Sequence, residues 1–201
     1  MTHHHSPPHT DTLRSILDRP SLGDRLPADL RDDLVAEAER SLSPEADREQ
    51  LYTVLIQSLL ARSEHEPGFE ALAATLFRDR CYEQVLGHTV GSDAFTEAYR
   101  AHFRDSIREG IARDVFDERL GEYNLQELAD CLVPVRDVDL GYQALETLTS
   151  DSFLRTTGGE PPELPQTCWM RVAMTLALPE DEQRRIDHAV DYYDVLSTID
   201  W

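Results

Sequence analysis

Apolar residues recur at helical spacing along nearly the whole chain. Leu30, Leu34, Val35 and Ala38 mark one face of a helix entered near Pro27. Leu51, Val54, Leu55, Ser58 and Leu59 mark the next. Ser43-Pro44-Glu45 reads as its start, with a capping serine, a first-turn proline and then an acidic residue. Glu66-Pro67-Gly68 breaks it. Phe69, Leu72, Ala73, Leu76, Phe77 and Cys81 then form a stripe, with Arg78, Asp79 and Arg80 expected on the other side and Gly87 at the C-terminal cap. After Gly91-Ser92-Asp93, the spacing of Phe95, Tyr99, Phe103 and Ile107 predicts a helix running toward Arg113.

The second half is built of shorter pieces. Asp114 to Tyr123 reads as a turn with a short helix, and Leu125 to Leu132 as a short helix stopped by Pro134. Another helix spans Leu140 to about Leu148. Phe153 to Thr157, the Gly158-Gly159 turn and Pro161 to Pro165 read as a small β-hairpin that its prolines confine to an edge. Pro165 opens a helix with Trp169, Val172, Ala173 and Leu176 on one face, and Pro179 ends it. A last helix from about Asp181 carries Ile186, Ala189, Val190, Tyr193 and Leu196. The fold class is therefore all-α, a multi-helix domain with one small β-hairpin. Residues 1–11 read as a disordered tail, 12–42 as an N-terminal helical arm and 43–201 as the main domain.

Charge narrows the function classes. The net charge is −20, from 39 acidic and 19 basic residues, and every basic residue is Arg. So acidic a surface repels phosphates and anionic lipids, which argues against nucleic-acid and membrane partners. An acidic, lysine-free composition points to a salt-requiring, halophilic domain. No stretch approaches the roughly 20 apolar residues of a membrane span, and MTHHHSPPHT has no apolar signal core, so a cytoplasmic location is expected.

No catalytic constellation stands out. Cys81, Cys131 and Cys168 are scattered, without a C-x-x-C, and read as reduced structural cysteines. His65, His88, His102 and His188 are dispersed and read as surface or helix-end residues. Glu127 and Asp130 read as an acidic helix face, and Ser197-Thr198 has no nearby base. Gly158-Gly159 lacks the strand-turn-helix setting of a phosphate loop. The expected catalytic, cofactor-binding and metal-binding residues are therefore none.

A family resemblance rests on an ordered set of blocks. Arg136-Asp137, Leu140-Gly141-Tyr142-Gln143-Ala144-Leu145 and Phe153-Leu154-Arg155 come first. The run from Glu163-Leu164-Pro165-Gln166 through Trp169-Met170-Arg171-Val172-Ala173-Met174 to Leu176-Ala177-Leu178 follows, and Tyr193-Asp194-Val195-Leu196-Ser197-Thr198 closes the set. Together they resemble the N-terminal helical region of the ribonucleotide reductase large subunit, from about residue 45 onward. Leu72 to Phe77 is similar to an upstream helix of that family.

The resemblance implies reduction of ribonucleotides to 2′-deoxyribonucleotides for DNA synthesis. The chemistry would be that of a cysteine thiyl radical and a reducing cysteine pair in an α/β barrel that this sequence does not contain. It implies a radical source: a small subunit with a metal-radical cofactor in class I, adenosylcobalamin in class II. The implied partners are the barrel-containing remainder of the large subunit, that small subunit and the nucleotide substrate. The family's substrate-binding Ser/Thr-Pro-Thr segment would follow Trp201, and an N-terminal nucleotide-binding cone is not recognisable. On this reading the chain is a scaffold without catalytic cysteines. The alternative is a freestanding, non-catalytic helical interaction or regulatory module derived from that region.

Overall fold

A computed structural model of the chain describes residues 8–64, 66, 68–88, 90–92, 94–149 and 163–198. The chain divides into two compact units, residues 1–80 and 81–201. The described residues form helices and 3-10 turns, with no strand among them. The hairpin expected over 153–165 falls outside the described residues up to 162; Pro165, as expected, opens a helix.

The first unit holds α1 (Thr10–Leu17), α2 (Ala28–Ser41), α3 (Arg48–Ser63) and the N-terminal part of α4 (Gly68–Leu86). Helix α1 packs on α2, and α2 on α3, so residues 12–42, expected as an arm, share a unit with α3. Helix α1 starts at Thr10, inside the expected tail. The Glu39 carboxylate explains this: it accepts from the His9 N–H at 3.0 Å and the Thr10 hydroxyl at 2.8 Å, at the helix end where N–H groups lack partners.

Two local expectations change. Helix α3 is capped by Asp47, not Ser43. The Asp47 carboxylate accepts from the Gln50 N–H at 2.8 Å, and the Gln50 side chain accepts from the Asp47 N–H at 2.9 Å. This reciprocal box satisfies two helix-end donors, so it outcompetes the serine four residues earlier. Arg78 and Asp79 are not on an open polar side of α4: they are 5% and 4% exposed. The Ser21 hydroxyl donates to the Asp79 carboxylate, and Arg25 reaches Thr75 at 3.2 Å, so chain preceding α2 covers that side.

The second unit holds the end of α4, then α5 (Phe95–Ala112), α6 (Leu125–Asp130), α7 (Tyr142–Thr149), α8 (Pro165–Ala177) and α9 (Arg185–Ser197). Gly87 closes α4 with φ 65°, a conformation that favours glycine. Phe95, Tyr99, Phe103 and Ile107 of α5 are buried, as the spacing predicts. Pro134 begins a 3-10 turn, Pro134–Asp139, because its missing N–H is harmless at a helix start. The last helix begins at Arg185 rather than near Asp181, whose carboxylate instead accepts from the Gln183 N–H in the preceding turn.

Helices α8 and α9 form the most extensive pair, and α5, α7 and the Pro134–Asp139 turn also pack on α8. Trp169 and Ala173 are buried as expected, but Leu176 is 53% exposed. The buried stripe runs instead through Gln166, Met170, Ala173, Met174 and Ala177. Helix α8 is apolar around most of its circumference, so spacing alone cannot choose its inner side. The partners of Gln166 choose it.

Candidate functional site

The centre of the second unit is polar. Asp137, in the Pro134–Asp139 turn, is 0% exposed and accepts hydrogen bonds from Tyr82, Tyr99 and Gln166. The Tyr82 hydroxyl donates at 2.6 Å and the Tyr99 hydroxyl at 2.9 Å, both to Oδ2; the Gln166 side-chain amide donates at 2.7 Å to Oδ1. The Tyr99 oxygen in turn accepts the Gln166 backbone N–H at 3.0 Å. On the other side, the Tyr193 hydroxyl donates to Gln166 Oε1 at 2.6 Å and accepts the Val133 N–H at 2.9 Å. Tyr82, Tyr99 and Tyr193 are buried too. The network thus joins α4, α5, the Pro134–Asp139 turn, α8 and α9 through side chains at single positions.

The electrostatics suit a carboxylate surrounded by donors. A buried ionised acid is tolerated only when hydrogen bonds replace its water. Burial, then the Asp137 charge, pushes the Tyr99 phenol well above its usual value. Burial pushes the Tyr193 phenol up to about 12. Both phenols therefore stay protonated and keep donating. Tyr82, Phe95 and Tyr99 pack edge-to-face, with centroids 4.9 to 6.0 Å apart.

Three further contacts hold the frame. Arg136 donates to the Asp194 carboxylate at 2.8 Å and to the Ser197 hydroxyl at 2.6 Å, and lies over the Tyr193 ring at 5.4 Å. It clamps the last turns of α9. Tyr123 donates to the Met174 carbonyl at 2.8 Å. Arg171 grips Glu163 through Nε and Nη2, each at 3.0 Å, with Phe116 under its guanidinium at 4.9 Å. Burial pushes the Glu163 carboxyl up and the Arg171 charge pulls it back; the two-point geometry is that of an ion pair.

The residues weighed for chemistry do not converge. Cys81 and Cys168 are buried and Cys131 is half-buried, and none of the three is in a disulfide. Burial, then the Glu163 charge, pushes the Cys168 thiol up to about 12, which suppresses the reactive thiolate. Burial and the neighbouring Glu127, Asp130 and Asp194 raise the Cys131 thiol as well. His102 is not a surface or helix-end residue: it sits mid-α5, half-buried, and burial pushes it down to about 4. His188 is near Glu180, at 4.0 Å, and stacks on Tyr192. His65 and Gly158-Gly159 lie outside the described residues. Asp130 pairs with Arg100 at 3.4 Å, and Glu127 is joined to the helix cap Asn124, so that face is structural. Among the described residues no three His, Cys, Asp or Glu side chains are placed to share a metal. No described helix is long and apolar enough to cross a membrane.

The Asp137 hub was not anticipated as a site. Asp137 and Gln166 stand in the family-like blocks, Tyr99 and Tyr193 at apolar-stripe positions, and Tyr82 in neither. The available signal was a polar residue in line with a helical apolar stripe, Gln166 with Met170 and Ala173.

Every polar group of the hub is committed to another part of the fold, which defines an all-α scaffold locked by a buried polar centre. Comparison with known proteins says which scaffold. The family model described as "Ribonucleotide reductase, all-alpha domain" matches residues 138–201. The chain is 34% identical over 143 residues to the alpha subunit of ribonucleoside-diphosphate reductase from Chlamydia muridarum, covering 71% of this chain and 13% of that protein. It is 31% identical to the same subunit of Chlamydia pneumoniae, covering 75% and 14%. It is 27% identical to that of Helicobacter pylori strain 26695, covering 87% and 21%. The chain carries the N-terminal all-α region of the ribonucleotide reductase large subunit, and spans about an eighth to a fifth of the length of these relatives.

Proposed function

We propose that this chain serves as the helical support of a ribonucleotide reductase, packing beside the barrel-bearing part of the large subunit. The whole assembly reduces ribonucleotides to 2′-deoxyribonucleotides in the cytoplasm. Its partners are that remainder, a radical-generating small subunit and the nucleotide substrate. The observation carrying this reading is the hub itself. Five elements meet at Asp137 and Gln166, inside or next to the family-matched stretch, and no reacting group is left exposed there. Such a centre rigidifies a platform; it performs no chemistry.

The radical source, a metal-radical small subunit or adenosylcobalamin, belongs to that assembly. Among the described residues no three potential metal donors gather around one point. The Arg136 clamp and the hub behind it hold α9 itself in place.

Sedimentation of the chain with a separately expressed, barrel-bearing remainder of the large subunit tests the reading. A 1:1 complex is expected. Two species sedimenting independently at micromolar concentration and molar salt would overturn it.

A further inference from the structure

We draw no further inference here: the strongest candidate, the exposed valines Val135 and Val138 of the Pro134–Asp139 turn and Val195 of α9, carries nothing because nothing in the structure shows what covers that surface.

Discussion

The Gln166 side-chain amide donates to Asp137 Oδ1 at 2.7 Å, and this bond ties the start of α8 to the Pro134–Asp139 turn in the middle of the second unit. Gln166 is 1% exposed and Asp137 is 0% exposed, so neither can replace the other with water. Asp137→Ala leaves the Tyr82, Tyr99 and Gln166 donors without their acceptor. It should cost about 3–5 kcal/mol, as breaking a buried charged network does. Gln166→Leu should cost about 2–4 kcal/mol by stranding Asp137 and the Tyr193 hydroxyl. Because the two residues share a network, the double variant should lose less than the sum of the singles. Urea unfolding of the four proteins measures this; simple additivity would show that the network does not act as a unit.

Gly110 is a second point of strict fit. It lies in α5, where alanine would normally gain about 1 kcal/mol. A Cβ there would fall 2.1 Å from Cδ2 of Phe116, the ring beneath Arg171. The clash outweighs the propensity gain, so Gly110→Ala should destabilise by about 1–3 kcal/mol. Adding Phe116→Ala to Gly110→Ala should recover part of that loss relative to the sum of the singles. A Gly110→Ala protein as stable as the parent would contradict the packing described.

His102 makes stability depend on pH. Burial pushes its imidazole down to about 4, with Asp105 opposing, whereas an unfolded histidine titrates near about 6.5. The unfolded chain therefore binds more protons between those values. The neutral ring's contribution is complete above about pH 6.5, is lost as pH falls toward about 4, and changes no further below. Relative to His102→Gln, the unsubstituted chain should lose on the order of 3 kcal/mol across that window. Parallel stability curves for the two proteins would remove His102 from the explanation.

Salt should stabilise the chain. A net charge of −20 opposes compaction, and at 1 M salt screening shortens its reach to roughly 3 Å. Short ion pairs such as Arg171–Glu163 should survive that screening better than the long-range repulsion does. The melting temperature should rise steadily from dilute buffer to molar KCl; a flat profile would count against a salt-requiring protein.

Helical periodicity was legible where a helix has one apolar face. Helix α5 shows it best, since Phe95, Tyr99, Phe103 and Ile107 are buried as spaced. It misled where tertiary contacts decide. Helix α8 is apolar on two sides, and its inner side follows Gln166, a polar residue whose partners are distant in sequence. Arg78 and Asp79 look like a solvent face until Ser21 and its neighbours cover them. The α3 cap moved from Ser43 to Asp47 because a reciprocal box satisfies more donors than a lone hydroxyl. The hub stayed hidden because its members come from separate elements, each contributing a residue that alone reads as ordinary. The family was legible earlier, in the ordered blocks from Arg136 to Thr198, which overlap most of the stretch matched by the family model.

Activity complementation tests the supporting role most directly. The chain is mixed with the barrel-bearing remainder of the large subunit and its radical source, and ribonucleotide reduction is assayed in molar KCl. Expected is reduction that requires both pieces and that falls when the chain carries Asp137→Ala. A remainder equally active without the chain, or a bound pair that stays inactive, would contradict the role of helical support.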